Sequence, residues 1–219
     1  MTIPATNELI AELEAVDRSL EHQSASAAID WALERFVGSV VVACSFQDAV
    51  IVELVVERDP SIEVVFLDTG AHFEETLEMV RTCRARYDLN LTVTTPSREA
   101  EGSPCGSDRC CELRKVEPLR RALEGRAAWI TGLKRCDSPS RASIPIVSFD
   151  HSFGLVKVNP MATWTEADVA GYEGDRGLPV HPLMAKGYRS IGCAPTTRAV
   201  SDAEQSRAGR WAGTDKTEC

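Results

Sequence analysis

The sequence lacks several features that define whole classes of protein. No apolar run approaches the roughly 20 residues that cross a bilayer, and residues 1–20 lack the basic and apolar regions of a secretory signal peptide. With 24 Lys and Arg against 33 Asp and Glu, the formal charge of −9 leaves no general basic surface for nucleic acid or an acidic membrane. These absences predict a cytoplasmic protein that binds neither nucleic acid nor an acidic membrane. Any anionic substrate would need a local cluster of basic side chains.

The chain also lacks internal repeats and low-complexity linkers. Its 219 residues, 43% of them hydrophobic, favour one main domain with a single sizeable core. After about Gly187 the apolar periodicity nearly disappears, while Gly, Ser, Thr and Arg become frequent. We therefore expect residues 1–187 to form a single α/β domain, and residues 188–219 to lie over it as a turn followed by a mobile C-terminal tail.

Hydrophobic periodicity predicts two opening helices, behind Thr6 and Ser24, and then a β-α-β-α-β order. The predicted strands are residues 39–44, 62–67, 89–94 and 127–131, with a further strand or hairpin at 145–149 and 154–158, and the later helices are residues 48–58, 73–87 and 165–172. The main strands are apolar on both faces. This pattern predicts an α/β fold with a doubly wound, mostly parallel sheet that helices cover on both sides.

Ligands of doubly wound sheets bind at the carboxyl ends of the strands. Polar turns follow three of the predicted strands, at residues 44–48, 68–70 and 131–135. A helix that begins near Asp48 would direct backbone N–H groups toward a phosphate or sulfate, and Ser45 would add a hydroxyl donor. Helix capping explains Ser45 and Asp48 almost as well, because no glycine-rich loop accompanies them.

Positive charge is concentrated around the fourth predicted strand. Residues 109–141 contain nine basic and four acidic side chains, which gives a local charge of +5. Arg120 and Arg121 fit a solvated helix face. The basic side chains that flank cysteines or the end of the strand are better placed to meet an anion, and these are Lys115, Lys134, Arg135 and Arg141. Arg207 and Arg210, three residues apart, would add a clamp.

The chain has eight cysteines, which in a reducing cytosol indicate metal ligation or thiol chemistry rather than disulfides. Cys83 fits simple packing within a helix. The adjacent Cys110 and Cys111, with Cys193 from a second loop, supply soft thiolates of the kind that bind zinc or iron–sulfur clusters. An adjacent pair favours a cluster, because it reaches two corners of a cubane more easily than it shares one ion. A coincidence of buried thiols is the alternative.

Cys219 differs from the other cysteines because the polar Lys216, Thr217 and Glu218 precede it. A packing role does not suit so polar a segment. A thiol on a mobile tail can enter a site, react there and then meet a partner.

Together these motifs resemble one enzyme family. From about Ser39 to Cys219 the sequence resembles the assimilatory sulfonucleotide reductases, and specifically the thioredoxin-dependent adenylyl-sulfate (APS) reductases of bacteria. The matching segments are Val64–Gly70, Cys110–Lys115, Trp129–Arg135, Ser190–Pro195, Arg207–Trp211 and Lys216–Cys219. The resemblance implies an adenine-nucleotide alpha-hydrolase-like fold in residues 1–187, a [4Fe–4S] cluster, and reduction of APS to sulfite and AMP in sulfate assimilation.

The resemblance also implies roles for individual residues. Cys219 would be the nucleophile that carries the sulfur as an S-sulfonate, which thioredoxin or a similar dithiol would release as sulfite. It implies that Cys110, Cys111 and Cys193 are cluster ligands. It places Ser45, Asp68, Thr69 and Gly70 near the nucleotide. It places Lys115, Arg141, Arg207 and Arg210 around the phosphosulfate. A homo-oligomer remains open.

One position departs from the family pattern, in which the third and fourth cluster ligands form Cys-x-x-Cys. Here Thr196 stands three residues after Cys193. A threonine hydroxyl is a poor iron ligand, so the cluster is missing, labile or completed by another group, and Cys105 is a candidate. Two other readings stay open: a reductase of the phosphorylated substrate PAPS, whose enzymes generally lack the cysteine pair, and a degenerate nucleotide-binding or zinc-binding protein without redox activity.

Overall fold

The computed structural model describes residues 4–214 and 216, and in this part of the chain six strands form one sheet. The strands are β1 (Val40–Ala43), β2 (Glu63–Leu67), β3 (Leu91–Thr94), β4 (Ala128–Thr131), β5 (Val147–Asp150) and β6 (Leu155–Val158). Their order is β3-β2-β1-β4-β6-β5, and every neighbouring pair is parallel except β5 and β6. The predicted mostly parallel sheet and the hairpin at its edge are both confirmed.

The α-helices of the described residues are α1 (Asn7–Leu20), α2 (Ala25–Arg35), α3 (Val50–Val56), α4 (Glu74–Tyr87), α5 (Asp108–Cys111), α6 (Glu117–Leu123) and α7 (Glu166–Arg176). The periodicity predicted all of these except α5 and α6. Thr6, Ser24 and Thr165 each accept a hydrogen bond from a backbone N–H in the first turn of α1, α2 and α7. Such caps typically stabilise a helix by about 1 kcal/mol.

The sheet is buried on both faces because its strands carry apolar side chains in both directions. Val42, Val64 and Ile130 pack with residues of α1 to α4 in the larger core. On the opposite face, Val41 and Trp129 pack with Leu123 of α6. Burying one Val or Ile side chain contributes roughly 1.5–3 kcal/mol, so this double-sided burial holds the sheet edge that carries the site in a fixed position.

Two predicted boundaries are wrong by a few residues. The helix after β1 begins at Val50 rather than at Asp48, and Asp48 Oδ1 accepts a hydrogen bond from Val50 N over 3.1 Å. The structure therefore gives Asp48 the local capping role. Helix α7 continues to Arg176, beyond the predicted end at residue 172, and stops where Gly177 adopts a left-handed conformation with φ of 57°.

A helical segment that the periodicity did not predict runs from α5 to α6. The two helices are joined by a π-helical turn over Glu112–Val116. Pro118 near the start of α6 has no backbone N–H, and its ring would clash with the carbonyl four residues earlier in a regular helix. The wider turn relieves that clash, and it carries Arg114 and Lys115, in keeping with the frequent location of π-turns at functional sites.

The segment after Gly187 lies over the carboxyl edge of the sheet. Ala194 N donates to Ala71 O over 2.7 Å, and Ile191 N donates to Gln47 Oε1 over 2.9 Å. Arg189 pairs with Glu166 of α7 at 2.8 Å. These bonds place Cys193 beside the ends of β1 and β2. Every helix in residues 4–214 and 216 is too short or too polar to span a membrane.

Candidate active site

The turn after β2, Asp68–Gly70, is fixed by its own hydrogen bonds. Gly70 N donates to Asp68 Oδ1 over 2.9 Å, and Gly70 has a φ of 66°, a conformation that glycine adopts without strain. Thr69 is buried, and its Oγ1 lies 3.7 Å from Cys193 Sγ. The predicted nucleotide turn and the predicted ligand Cys193 therefore meet directly, although they are 124 residues apart.

Arg114 supports this turn from the π-helical segment. Its Nη1 donates to Thr69 O over 2.6 Å, and its Nη2 donates to Ala100 O over 3.0 Å. A cavity of about 230 Å³ opens beside this contact, lined in part by Asp68, Gly70 and Arg114. A larger cavity of about 370 Å³ lies near Arg126 and Phe153, before β4 and β6, and it shares no lining residue with the predicted site.

The turn after β1 presents Ser45 at the same edge. Ser45 is exposed, whereas its neighbour Phe46 is fully buried with a positive φ of 54°. The backbone N–H of Phe46 donates to Cys44 Sγ over 3.3 Å, which stabilises the reversal. Ser45 thus stands free of the core at the position where the sequence placed a hydroxyl donor.

Lys115 projects from the π-helical turn toward the cysteines. Burial lowers the pKa of the Lys115 ammonium, and the nearby Cys193 thiol acts in the opposite direction. The charge of Arg210 also acts on Lys115 and lowers its pKa. Two of the predicted phosphosulfate residues are therefore close to each other and to Cys193.

Arg210 is held by the backbone around Cys193. Its Nη1 donates to Ile191 O over 3.0 Å and to Ser190 Oγ over 3.3 Å. The guanidinium groups of Arg207 and Arg210 lie 5.1 and 4.8 Å from the ring centre of the buried Trp211. The predicted arginine clamp is thus brought together around one aromatic ring.

Glycine at position 192 makes this arrangement feasible. A Cβ atom there would overlap the guanidinium of Arg210, so the arginine approaches the chain only because residue 192 has no side chain. No sequence pattern predicted a functional role for Gly192, and its position beside Cys193 was the available signal.

The basic residues after β4 form a second group around Asp137. Lys134 is buried with its Nζ 3.3 Å from Asp137 Oδ1, and Arg141 Nη1 lies 3.2 Å from Asp137 Oδ2. No sequence pattern predicted a functional role for Asp137. Burial raises the pKa of Asp48, in the turn after β1, and the positive charge of Lys134 partly opposes this rise. Lys134 is therefore close to Asp48, which places the basic residues around Asp137 next to the turn after β1.

Arg135 takes partners of a different kind. Its Nε donates to Ile144 O over 3.0 Å, and its guanidinium pairs with both carboxylate oxygens of Glu21, at the end of α1. The sequence predicted that Arg135 binds substrate. In the structure its side chain joins the N-terminal helices to the loop before β5, through Glu21, which lies 114 residues away in the sequence. The contact of Arg135 with substrate stays a prediction.

Three thiols converge beside Lys115: Cys105, Cys110 and Cys193. Burial raises the pKa of the Cys105 thiol, and the nearby Cys193 and Cys110 raise it further, whereas Thr196 lowers it through a side-chain hydrogen bond. Cys111, next to Cys110 in α5, is also buried, but it is disulfide-bonded rather than a free thiol. Cys83 is buried within α4, as predicted for a packing residue.

Within residues 4–214 and 216, no group of three or more His, Cys, Asp or Glu side chains is arranged to hold a single metal ion.

Cys219, the predicted nucleophile, lies outside the described residues. Lys216 is described, and its Nζ donates to Asp108 Oδ1 over 2.7 Å. Asp108 is the first residue of α5, two positions before Cys110. The chain that leads to Cys219 therefore passes the helix that carries the adjacent cysteines.

Comparison with known proteins identifies the family of this chain. Residues 39–199 match the family model described as the phosphoadenosine phosphosulfate reductase domain. A protein of Mycolicibacterium smegmatis named adenosine 5'-phosphosulfate reductase is 42% identical over 100% of this chain and 97% of its own. One of the same name from Streptomyces coelicolor is 44% identical over 98% of this chain and 94% of its own.

Among solved structures, the chain resembles the phosphoadenylyl-sulfate (PAPS) reductase of Candida auris in its phosphate complex. The TM-score is 0.78 at 26% identity, over 90% of this chain and 100% of that one. The family model covers most of the chain, and the relatives match nearly all of it. The chain therefore belongs to the phosphoadenosine phosphosulfate reductase family, alongside relatives named adenosine 5'-phosphosulfate reductases.

Proposed function

We propose that this chain reduces APS to sulfite and AMP, as part of sulfate assimilation. The observation that carries the proposal is the convergence of Lys115 and Arg210 on the thiols beside the β2 turn, next to the segment that leads to Cys219. Cationic side chains and a reactive thiol are what a phosphosulfate substrate requires. The names of the relatives support the same activity.

The nucleotide half of APS would lie along the carboxyl edge of the sheet. Ser45 offers an exposed hydroxyl there, and the turn Asp68–Gly70 offers a carboxylate and backbone groups. Arg114 keeps this turn in place, and the cavity beside the turn leaves room for a ligand. We assign Ser45, Asp68, Thr69 and Gly70 to nucleotide binding.

The phosphosulfate would lie among the basic side chains. Lys115 and Arg210 are close together, and the guanidinium groups of Arg207 and Arg210 both lie over the ring of Trp211. Lys134 and Arg141 lie at the end of β4, which neighbours β1. Fixed cations of this kind stabilise a leaving phosphate, and each well-placed group is commonly worth about 3–4 kcal/mol in the transition state.

The reaction would begin with nucleophilic attack by the Cys219 thiolate on the sulfur of APS. A bond forms between the two sulfur atoms, the bond from sulfur to the phosphate oxygen breaks, and AMP leaves with that electron pair. One thiol of thioredoxin or a similar dithiol then attacks Sγ of Cys219 and displaces sulfite. The second thiol releases Cys219 and completes the disulfide, so the dithiol supplies both electrons.

The chain length after Lys216 permits this role for Cys219. Cys219 is three residues further along the chain than Lys216, and an extended chain covers at most about 3.6 Å per residue, or roughly 11 Å in all. Because Lys216 is bound to Asp108 at the start of α5, that reach includes the neighbourhood of Cys110 and Lys115.

An iron–sulfur cluster needs several free thiolates in a shielded site. Cys110 and Cys193 are buried free thiols, but Cys111 is disulfide-bonded in this structure, so the residues as they stand do not fit an intact cluster. The assignment of Cys110, Cys111 and Cys193 as ligands of a [4Fe–4S] cluster therefore applies to the chain with Cys111 reduced. Lys115 would then offset part of the negative charge of such a group.

A PAPS reductase is the second candidate, because the family model carries that description and the Candida auris enzyme has a similar structure. The adjacent Cys110 and Cys111 favour APS instead. Steady-state sulfite release from APS and from PAPS separates the two candidates. Higher kcat/KM with PAPS would overturn our choice of substrate.

The nucleophile is tested by intact-mass spectrometry of the full chain after incubation with APS and no reductant. We expect one sulfonate adduct per chain, located on Cys219 by peptide mapping and released as sulfite by reduced thioredoxin. Cys219→Ser should bind APS without an adduct, while Cys136→Ser, which changes an exposed thiol, should react as the wild type does. An adduct that persists in Cys219→Ser would contradict the assignment.

A further inference from the structure

Cys111, the last residue of α5, is the one described cysteine that is disulfide-bonded. In the part of the chain that the structure describes, the other cysteines are free thiols, and these are Cys44, Cys83, Cys105, Cys110, Cys136 and Cys193. The sequence has one further cysteine, Cys219, which lies outside that part. The sulfur of Cys111 therefore takes part in thiol–disulfide chemistry, and none of the six free thiols is its partner.

The C-terminal segment runs beside the loop and helix that lead to Cys111. A Cβ atom at Gly106 would lie 2.8 Å from Thr214 Cγ2, so these two residues pack against each other. Lys216 Nζ donates to Asp108 Oδ1 over 2.7 Å, and these two residues are 108 positions apart in the sequence. Gly106 and Thr214 have the same separation. The two stretches of chain therefore lie alongside each other and run in the same direction.

Continued over three more residues, this alignment would bring Cys219 to Cys111, which have the same separation in the sequence. Asp108 and Cys111 are three residues apart in α5, and residues at that spacing lie on one face of a helix. The three residues after Lys216 span at most about 11 Å, and a disulfide needs Cα atoms roughly 4.4–6.8 Å apart. The chain after Lys216 is thus long enough for its thiol to meet Cys111.

The surroundings of Cys111 favour redox chemistry over metal ligation. Cys111 is only 5% exposed, so reagents in solution reach its sulfur poorly, whereas a sulfur delivered by the chain itself avoids that barrier. A sulfur atom in a disulfide is not available as a thiolate ligand, which an iron–sulfur cluster requires. Thr196, with a hydroxyl in place of a thiol, leaves such a cluster one ligand short.

We propose that Cys111 is a second catalytic thiol, which releases sulfite from Cys219 and forms a disulfide with it. The inference rests on the proposed function, because that function supplies the S-sulfonate. The Cys111 thiol loses its proton to solvent, and the thiolate attacks Sγ of Cys219. A bond forms between the two cysteine sulfurs, the bond from Cys219 Sγ to the sulfonate breaks, and sulfite leaves with that electron pair.

The external dithiol then acts one step later than in direct release. It reduces the disulfide between Cys111 and Cys219 by exchange, so that both cysteines become thiols again and the dithiol is oxidised. Over the whole cycle both electrons still come from the dithiol. The disulfide at Cys111 in this structure corresponds to the chain after sulfite has left.

The test follows a single turnover of the full chain, which is reduced, freed of reductant and mixed with excess APS without oxygen. We expect the adduct on Cys219 to form first and to decay afterwards, because it must leave the phosphosulfate site before it meets Cys111. Each wild-type chain should release one sulfite and lose two thiols. Non-reducing peptide mapping should find Cys111 linked to Cys219. A wild-type adduct that persists without sulfite release would overturn the role of Cys111.

Variants separate the step at Cys111 from the first attack. Cys111→Ser should form the adduct and release AMP, but it should release almost no sulfite until reduced thioredoxin is added. AMP release also shows that the variant folds and binds APS. Cys111→Ala removes the thiol without adding a buried hydroxyl and should behave in the same way. Cys136→Ser, which changes an exposed thiol, should match the wild type, and sulfite release from Cys111→Ser at the wild-type rate would overturn the proposal.

Failure of this inference differs from failure of the proposed function. A wild-type chain that forms the adduct, releases AMP and holds its sulfite until thioredoxin arrives refutes the step at Cys111 and leaves APS reduction intact. A wild-type chain that forms neither adduct nor AMP refutes the function and the inference together. About four iron atoms per chain in a wild type that holds its sulfite would assign Cys111 to the cluster instead.

Discussion

Lys216 Nζ donates a hydrogen bond to Asp108 Oδ1 over 2.7 Å and so joins the C-terminal segment to the first residue of the helix that carries Cys110. The hydrogen bond from Lys216 lowers the pKa of the Asp108 carboxyl. The Asp108 side chain is almost fully exposed, so water and salt screen the pair. The contact is therefore weak enough to guide the C-terminal segment in the proposed reaction without holding it permanently.

Asp108→Asn should slow the reaction of Cys219 with APS without abolishing it. Exposed ion pairs contribute little, so we expect a roughly two- to fivefold lower rate of sulfonate formation, and a smaller difference at high salt. Stopped incubations followed by intact-mass spectrometry measure this rate. Asp175→Asn, an exposed change in α7, is the control. An equal rate for Asp108→Asn and wild type at low salt would show that the pair does not guide the tail.

Lys115→Met should lower turnover far more than it lowers stability. The variant removes a cation beside Cys193 and Arg210 but keeps an apolar side chain of similar length. Losing one such group commonly costs about 10²–10³ in kcat, and sulfite release from APS measures it. Arg120→Met, which removes an exposed cation from α6, is the matched control and should leave kcat unchanged. Similar kcat values for the two variants would remove Lys115 from the proposed site.

Gly192→Ala should raise the KM for APS by displacing Arg210. The new Cβ atom would overlap the guanidinium, which is the far end of a flexible side chain and can move aside without disturbing the core. Loss of a hydrogen bond to a charged group is worth about 1.5–3 kcal/mol, so we expect a KM increase of roughly tenfold or more, with little change in the urea midpoint. Gly174→Ala, where a Cβ meets nothing within 4 Å, is the control. An unchanged KM would argue against a role of Arg210 in binding.

The fold could be predicted because its signals are local. Runs such as Val64–Leu67 are apolar in both directions, and Thr6 and Ser24 act as caps within three residues of their partners. The site could be predicted in part, since the strand ends and the cysteines are visible in the sequence. What the sequence could not provide were pairings across the chain, such as Gln47 with Ile191, because a hydrogen bond between residues 144 positions apart leaves no periodic signal.

Arg135 illustrates the same limit, and its partners lead to a different prediction from that of Lys115. Arg135→Met should reduce the free energy of unfolding by about 1–2 kcal/mol, because it breaks the bidentate pair with Glu21 and the bond to Ile144 O. The KM for APS should stay near the wild-type value. Urea denaturation and steady-state kinetics on the same preparation provide both values, with Arg120→Met as control. A large rise in KM at unchanged stability would instead place Arg135 at the substrate, as the sequence suggested.

His181 makes stability depend on pH in a direction that its contacts determine. It is almost fully buried, its Nδ1 accepts from Leu183 N over 3.2 Å, and its Nε2 lies 3.0 Å from Thr76 Oγ1. Burial lowers the pKa of His181 below its ordinary value of 6.5, although Glu75 acts in the opposite direction. In the native state His181 therefore binds a proton less readily than it does in the unfolded chain.

The contribution of His181 is thus complete above about pH 6.5 and is lost as the pH falls from there toward the native pKa. One such group changes the free energy of unfolding by at most about 1.4 kcal/mol per pH unit. Asn at position 181 keeps an acceptor for Leu183 N but does not titrate. His181→Asn should therefore lose less stability than wild type between about pH 7.5 and about pH 5.5, when urea denaturation is compared at both. His22→Asn, at an exposed position, should keep the wild-type slope, and equal slopes for all three proteins would contradict the assignment.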